Sequence, residues 1–395
     1  MNTSKEERGQ AIVLVVFALI ALLAITGLAI DGGRLYQKRR EVQNVADATA
    51  LAGTRLLATQ RCEPGADLDG MVATEIVDFA AQNGLEHDLM TGRIWAWYVN
   101  KDETRLGVVG AGNVPNGTTG IEVATIITET TTFMRITGQE DMSASGAATA
   151  MFGPILQAGG GMLPIGFPVQ SVEDIIDSGT MEFEMFDGSG AICRADGVDC
   201  PSDPSAQSQR GWLNFNYIYN NQIHINSYSS PLNRVISTNF SNADLKYWGE
   251  FGCPHPLFAG TRGGLPPYLL DGDFIVGDPG ARESTRATIC ETHMNKTVYL
   301  PVFDYIYERA EMRAAFPGNN EPPNPLKFPN AHFYHIVGFM AARLEFCGSG
   351  NNKTIGGTFL YAVIGQGQIQ PGDGIGSGSG SGSCDPLMVG VTLWK

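Results

Sequence analysis

Twenty consecutive residues near the N-terminus, from Ala11 to Ile30, contain no charged side chain, and only Thr26 and Gly27 among them are neither aliphatic nor aromatic. As a helix this run is about 30 Å long, which matches the hydrocarbon core of a bilayer. Residues 31–395 contain no second run of this kind. The sequence therefore predicts one membrane anchor, with its ends at Ala11 and Ile30, and one large part outside the bilayer.

The alternative interpretation of this run is a cleaved secretory signal. A signal peptide has a shorter apolar core, of about 7–15 residues, followed by a cleavage site of small residues. Here the run is longer, and a polar segment with helical character follows it from Asp31 to Arg40. We therefore predict that the anchor is retained.

The charges on the two sides of the run give conflicting indications of its orientation. The basic and acidic residues within residues 1–10 cancel, whereas Arg34, Lys38, Arg39 and Arg40 would place the other side in the cytoplasm. Six cysteines between Cys193 and Cys384 favour an oxidising compartment instead. Long domains are translocated largely regardless of flanking charge. We predict a cytoplasmic tail over residues 1–10 and an extracytoplasmic C-terminal part.

The composition excludes one class of partner and favours one class of fold. The net charge is −15, and residues 31–61 hold six basic and three acidic side chains, which leaves −18 on residues 62–395. Nucleic-acid binding needs clustered Lys and Arg, so we expect no nucleic-acid partner. With 49 Gly, 21 Pro and only 17% charged residues, the extracytoplasmic part is expected to be a turn-rich β structure.

The helical pattern continues beyond the apolar run. Apolar or small residues recur every seven positions, at Leu28, Leu35, Val42, Thr49 and Leu56. This periodicity predicts one helix from Gly9 to about Gln60, with Gly32-Gly33 as a bend.

Residues 31–152 are predicted to form an α+β domain around this helix. A second helix is expected over Asp69–Gln82, ended by Asn83-Gly84, and a short one over Thr132–Gly138. Alternating patterns predict strands at Arg93–Val99, Arg105–Val109, Gly120–Thr128 and Ser143–Phe152. A long apolar helix lying against a small antiparallel sheet resembles the plan of type IV pilins.

Residues 153–373 are predicted to form a second, β-rich domain. Its β-type runs lie between Pro, Gly and Asn clusters and include Glu182–Phe186, Thr297–Phe303, His332–Phe346 and Thr358–Gln368; Glu308–Ala315 is a helix candidate. Residues 374–383 read as a flexible Gly/Ser linker. A terminal strand is predicted within residues 384–395.

The cysteines suggest a disulfide-bonded domain. Cys193 and Cys200 flank a turn-like spacer that suits a local bridge. Cys253 with Cys290 and Cys347 with Cys384 are the pairs that we predict for the others, although six cysteines allow 15 pairings. Cys62 remains unpaired in this scheme.

Metal sites and catalytic motifs have little support. Asp271, Asp273 and Asp278 form a weak calcium candidate in a predicted loop, but the EF-hand spacing is missing and a solvated acidic turn is the favoured explanation. Zinc ligation by Cys253-Pro-His255 with Cys290-Glu-Thr-His293 competes with the disulfides. His332 and His335 would face opposite sides of a strand. The sequence contains no G-x-S-x-G, H-E-x-x-H or P-loop. We predict no catalytic residue, no cofactor and no small-molecule substrate.

Three segments resemble a known family. They are Arg8-Gly9-Gln10-Ala11-Ile12-Val13, Asp31-Gly32-Gly33-Arg34-Leu35-Tyr36, and the stretch from Gln43 to Gly53. As a set they resemble the TadE/TadG-like family, which are membrane-anchored, pilin-like proteins of the tight-adherence (Tad, or Flp) pilus system. Short motifs of the C-terminal half, such as Leu163–Gly166 and Val276–Gly280, resemble the C-terminal region of larger TadG-related proteins. A von Willebrand A domain is not expected, because Asp187–Ala191 lacks the second Ser of its metal motif.

The resemblance implies a structural or assembly role in the cell envelope and in adhesion. The expected partners are other Tad pilus proteins or copies of this chain, together with the membrane through residues 11–30. An alternative is the repeating subunit of an extracellular filament, for which prepilin-type cleavage would follow Gly9. The Glu that type IV pilins carry five residues into the mature chain is replaced by Leu14. A metal-dependent surface enzyme or lectin is the third alternative.

Overall fold

The N-terminal apolar run forms the first part of one continuous helix, α1, from Glu7 to Gln60. Its 54 residues include no proline and therefore no break in the hydrogen-bond ladder. The helix passes through Gly32 and Gly33 without interruption. At 1.5 Å per residue it is about 80 Å long. The long N-terminal helix predicted from the sequence is confirmed.

The computed structural model describes residues 7–61, 67–85, 89–90, 92–159, 161–169, 171–172, 175, 181–185, 192–194, 212–220, 242–253, 256–260, 272–278, 283–308, 310–311, 332–348, 354–360, 363–364, 387 and 389–394. The chain divides into a first unit, Met1–Met151 with Leu393–Lys395, and a second unit, Phe152–Thr392. The predicted helix Glu308–Ala315 and the Gly/Ser linker lie largely or wholly outside the described residues.

The first unit packs the second half of α1 against one more helix and an antiparallel sheet. Its other elements are α2 (Leu68–Gln82), β1 (Ile94–Val99), β2 (Arg105–Val108), β3 (Gly120–Thr130), the 3₁₀ helix η1 (Met134–Thr137) and β4 (Asp141–Pro154). The strand order is β4-β3-β1-β2. The backbone N–H of Trp394 also donates to the carbonyl of Thr149 in β4.

Small residues let α1 approach the sheet closely. A Cβ atom on Gly146 of β4 would lie 2.8 Å from Cα of Gln43, and one on Gly53 would lie 2.8 Å from the Ile76 side chain of α2. The Thr125 hydroxyl donates to the carbonyl of Val42 over 3.0 Å. The continuous packing of the helix therefore starts at about residue 42, beyond which its apolar and small side chains are buried. That this unit is pilin-like in detail remains a prediction.

The second unit is built on an eight-stranded sheet. The strands of the whole unit are β5 (Gln157–Ala158), β6 (Phe167–Pro168), β7 (Glu182–Met185), β8 (Ile192–Arg194), β9 (Trp212–Asn220), β10 (Leu257–Phe258), β11 (Asp273–Asp278), β12 (Thr297–Glu308), β13 (His332–Cys347), β14 (Ile355–Leu360), β15 (Val363–Ile364) and β16 (Val389–Leu393). The pairs β5–β10 and β15–β16 stand outside the eight-stranded sheet.

The sixteen-residue strand β13 is the centre of this sheet. It pairs with β12 along one side. On its other side its first residues pair with β11 and its last residues with β14. Two buried apolar clusters cover the sheet. In one of them the rings of Phe183 and Phe359 stack with centroids 4.6 Å apart. The β-rich character of the remainder is confirmed.

Among the described residues of the second unit, two helices of ten and eleven residues were not predicted from the sequence. They are α3 (Asn242–Phe251) and α4 (Glu283–His293). They pack together where Gly249 faces Thr285 and Ile289, and a Cβ atom on that glycine would lie 3.1 Å from both side chains. The buried residues of α4 include Thr285, Arg286 and Thr288. An apolar periodicity is absent because this helix buries polar side chains.

One disulfide differs from the predicted pairing. Cys290 of α4 is bonded to Cys347, the last residue of β13, with a Cα–Cα distance of 6.1 Å. The predicted pairs Cys253–Cys290 and Cys347–Cys384 are therefore wrong. The physical reason is that α4 packs beside the end of β13, which brings together two cysteines 57 residues apart in sequence. Cys253 is buried in an apolar cluster instead.

Candidate functional site

The apolar part of α1 is uncovered on every side. Residues 12–30 are exposed apart from Gly27, with Phe17 at 67% and Ile25 at 68% of their full exposure. The most apolar window of the helix has a mean hydropathy of 3.0 and is only 6% buried. A helix that is apolar all round needs a lipid or protein environment to cover it. By length and composition this helix is able to cross a membrane.

The folded unit first touches α1 at the outer end of the apolar run. Between residues 12 and 41 only Gly27 and Asp31 are buried. Residues four apart lie on one face of a helix, and this face meets η1 and the residues before it. A Cβ atom on Gly27 would lie 2.5 Å from Cβ of Phe133. Any larger residue at position 27 would clash with the Phe133 side chain, so this close contact requires glycine.

Asp31 fixes this contact through its carboxylate. The backbone N–H groups of Thr132, Phe133 and Met134 donate to it over 3.0, 2.8 and 2.8 Å. These are the donors that the start of a helix leaves without intrahelical partners, so Asp31 caps η1 from a different part of the chain. The bond from Met134 contributes most to lowering the pKa of Asp31, against the opposing effect of burial. The site therefore holds an ionised carboxylate.

Basic residues of the next helical turns continue the junction. The Arg34 guanidinium donates to the Thr132 hydroxyl over 2.7 Å and lies 3.9 Å from the Glu129 carboxylate. The Lys38 ammonium lies 3.0 Å from Glu41 and 3.5 Å from Glu129, and its bond to Glu41 is the main cause of its raised pKa. These pairs are partly exposed, so each adds little to stability. They orient α1 rather than hold it.

The cap of η1 is expected to depend on pH. Because the pKa of Asp31 is lowered in the folded protein, the cap stabilises the fold fully above about pH 4 and is lost as the pH falls through the lowered value. Asp31→Asn is expected to speed amide exchange at Phe133 and Met134. The ratio of the exchange rate in the variant to that in the wild type is expected to be constant from about pH 5 to 8 and to shrink below about pH 4. Hydrogen exchange of the full chain in detergent measures this ratio.

Asp78→Asn on the exposed face of α2 is the matched control for this measurement. It removes one carboxylate of the same unit and leaves the junction intact. Equal exchange rates at Phe133 in Asp31→Asn and in the wild type at neutral pH would contradict the role of Asp31.

Two of the predicted calcium ligands, Asp273 and Asp278, lie at opposite ends of one strand. Asp273 and Asp278 are the first and last residues of β11, and not part of a loop. The five residue steps of extended strand between them span about 17 Å, which is too far for one ion. Asp273 accepts a bond from the backbone N–H of Phe258 over 2.7 Å. Asp271 lies outside the described residues. The loop prediction is wrong for these residues because Phe274, Ile275 and Val276 are a continuous apolar run that is buried as a strand.

The other predicted site residues are scattered. Cys290 is disulfide-bonded, so it is not a zinc ligand in this structure. His335 of β13 is fully buried and its Nδ1 lies 2.7 Å from the Asp304 carboxylate. Within the described part of the chain, no three His, Cys, Asp or Glu side chains converge as a metal site. Cys62, Cys200 and Cys384 lie outside the described residues, as does the Cys193 side chain, and the anchor ends Ala11 and Ile30 both lie in α1.

Sequence reasoning did not assign roles to Gly27, Asp31 or Phe133. Asp31 belongs to the motif Asp31–Tyr36, and an acidic residue directly after an apolar run was the available signal. Its three partners lie 101 to 103 positions further along the chain. No sequence pattern connects the two segments.

The structure thus defines an exposed apolar helix continuous with a folded α+β unit and followed by a β-rich unit. Residues 9–61 match the protein-family model described as "Putative Flp pilus-assembly TadE/G-like". The TadE/TadG-like resemblance of the N-terminal segment is confirmed by this match, which includes Gly27, Asp31 and the buried part of α1. No curated protein and no solved structure matches the chain. The resemblance of the C-terminal half to larger TadG-related proteins remains a prediction.

Proposed function

We propose that this protein is a membrane-anchored, extracytoplasmic structural or assembly component of a Tad-type pilus system. The observation that carries the proposal is the uncovered apolar surface of residues 12–30, within a segment that matches the TadE/G-like family. The same helix is buried from residue 42 onward in a folded unit. An anchor and a folded unit that share one helix are suited to holding a protein at a fixed place in an envelope assembly.

The second unit is proposed to lie outside the cytoplasm. The Cys290–Cys347 disulfide supports this orientation, because such bonds persist in oxidising compartments and are rare in the cytoplasm of most organisms. The acidic net charge keeps the units soluble and does not favour nucleic acid. The role of the second unit is proposed to be protein–protein contact with pilus components, without catalysis.

The alternative function is a repeating subunit of an extracellular filament. It is favoured by the same apolar surface, since a helix that is apolar on all sides also suits the core of a helical filament. A filament in which each subunit donates its C-terminal strand β16 to the next subunit is disfavoured, because the backbone N–H of Trp394, directly after β16, already donates to the carbonyl of Thr149 in its own chain. The two functions differ in where the mature protein is found.

The anchor is tested by introducing charge into its middle. Replacing Leu19, Leu22 and Leu23 by Arg is expected to raise the free energy of insertion by about 8–10 kcal/mol and to shift the full chain from membranes to soluble or degraded material. The control variant places Arg at Tyr36, Gln37 and Asn44, which are exposed on α1 beyond the apolar run. Carbonate-washed membranes and sheared surface filaments are assayed separately for both variants and for the wild type.

Each fraction has a distinct meaning in this experiment. Wild-type protein confined to membranes supports the assembly component, whereas protein in sheared filaments whose sequence begins at Gln10 supports the filament subunit. Wild-type protein found soluble, with the same distribution as the triple Arg variant, would contradict both functions.

A further inference from the structure

The position of η1 on α1 has a consequence for the membrane surface. The apolar run ends at Ile30, and Phe133 contacts α1 at Gly27. Three residues of helix correspond to about 4.5 Å. If Ile30 lies at the edge of the hydrocarbon, then Phe133 lies level with the outermost part of the acyl chains. With Ile30 at that level, the folded unit would meet the bilayer beside its own anchor.

The residues that occupy this level suit a lipid interface. Phe133 lies against Gly27 of α1, and both Phe133 and Met134 are only partly buried, so each keeps some exposed apolar surface. Arg135 is exposed, and Arg34 retains about half of its side-chain exposure although it bonds to Thr132. Apolar side chains flanked by guanidinium groups are typical of segments that rest at the boundary between acyl chains and phosphates.

The cap on η1 removes the main obstacle to this placement. A bare carboxylate at the edge of the hydrocarbon is costly because it loses its hydration. The Asp31 carboxylate is fully buried in protein and accepts three backbone N–H groups instead. The same three bonds satisfy the N–H groups of η1, which would otherwise also need water. Both polar groups are therefore satisfied without solvent.

We propose that residues 133–135 form a membrane-interface contact, with Phe133 and Met134 in the outermost acyl region of a phospholipid bilayer and with Arg34 and Arg135 at the phosphates. This contact rests on the proposed membrane anchoring. Together with the Gly27–Phe133 packing, it fixes the height and tilt of the first unit above the membrane, so that its far surface is presented to partners in one orientation.

The contact is tested by fluorescence in vesicles. Phe133→Trp and the control Leu106→Trp are each reconstituted as the full chain in phosphatidylcholine vesicles whose acyl chains carry bromine near the headgroup or near the chain end. Leu106 lies on β2, which pairs with the end of β1 that is paired with Gly120, the first residue of β3. The 3₁₀ helix η1 follows the last residue of β3, so Leu106 is remote from it. The signal of the five native tryptophans is subtracted with the wild-type chain. The tryptophan added at position 133 is expected to lose most of its emission with shallow bromines and less with deep ones, while the one at 106 loses none.

A second measurement uses the unaltered chain, because tryptophan at position 133 has to fit against Gly27. A phosphatidylcholine with a photoreactive group near its headgroup is expected to label the peptides that meet at Arg135 as well as α1. Labelling of α1 alone, or an unquenched tryptophan at 133 in a chain that floats with the vesicles, overturns the contact and leaves the anchor intact. A chain that does not float with vesicles overturns the anchor and this contact together. In a filament, the same position would be covered by a neighbouring α1, and labelling by lipid would be absent.

Discussion

Replacing Cys290 and Cys347 together by Ala is expected to lower the free energy of unfolding of the second unit by about 4 kcal/mol. The estimate follows from the closed loop of 57 residues, because a cross-link of that length removes much of the conformational freedom of the unfolded chain. Both side chains are packed against a buried apolar cluster, so the two alanines also lose some contact area. Guanidinium unfolding of the full chain in detergent, followed by hydrogen exchange in β13, measures the loss.

The reductant dependence separates this bond from the other cysteines. Dithiothreitol is expected to destabilise the wild type to about the level of the double variant, and to change the double variant much less. Glu291→Ala, an exposed change on α4, is the matched control and keeps the bond. Equal unfolding midpoints for the wild type and the double variant, or a mapped link between Cys290 and Cys253, would contradict the pairing.

The first unit was largely predictable because its elements carry simple periodicities. Helix α2 was predicted over Asp69–Gln82 and lies at Leu68–Gln82, and the strand predicted at Arg105–Val109 lies at Arg105–Val108. The helix α1 was found from a seven-residue repeat that continues past the apolar run. For the two helices, the buried face follows from apolar residues at helical spacing in the sequence. Strand β2 is exposed or half-buried along its whole length.

The second unit was less predictable because its packing depends on distant residues. Helix α4 buries Thr285, Arg286 and Thr288, so its inward face is polar in sequence. The Arg286 guanidinium donates to the carbonyl of Gly348 over 2.9 Å, which is a contact across 62 positions. Without α4, nothing indicated that Cys290 lies beside the end of β13. The wrong disulfide pairing followed from the missed helix.

The junction shows a different limit of sequence reasoning. The glycines that were expected to bend the helix, Gly32 and Gly33, have no neighbouring atom within 4 Å of an added Cβ. The glycine on which the helix contact depends is Gly27. It lies inside the apolar run, where the sequence does not distinguish it from the other membrane-spanning residues. Its importance depends on Phe133, and therefore on how β3 ends beside α1. Composition of the run alone contains no such information.

Replacing Asp69 by Ala is expected to destabilise the first unit by about 3 kcal/mol. Asp69 of α2 is buried, and its carboxylate accepts bonds from the Tyr98 hydroxyl over 2.7 Å and from the backbone N–H groups of Gly110 and Gly112 over 2.8 and 2.6 Å. Its removal leaves the buried Tyr98 hydroxyl without an acceptor, which costs about 1–3 kcal/mol. The backbone N–H groups of Gly110 and Gly112, which are exposed, lose a bond to a charged group. Thermal unfolding of the full chain, with exchange at β1 as the local readout, measures the loss.

A double-mutant cycle with Tyr98 distinguishes loss of the bonds from general disruption. Burial is the main cause, and the bond to Asp69 the second, of a Tyr98 pKa well above its usual range, so the hydroxyl remains protonated and a donor at neutral pH. Tyr98→Phe is expected to cost about 1 kcal/mol in the wild type and almost nothing in Asp69→Ala, because the hydroxyl there has already lost its acceptor.

Asp67→Ala is the matched control: Asp67 is exposed and caps α2 through Gly70, so its loss is expected to cost only about 1 kcal/mol. Additive effects of Asp69→Ala and Tyr98→Phe would mean that the two side chains are not coupled, and that the loop at Gly110–Gly112 is held to α2 by other contacts.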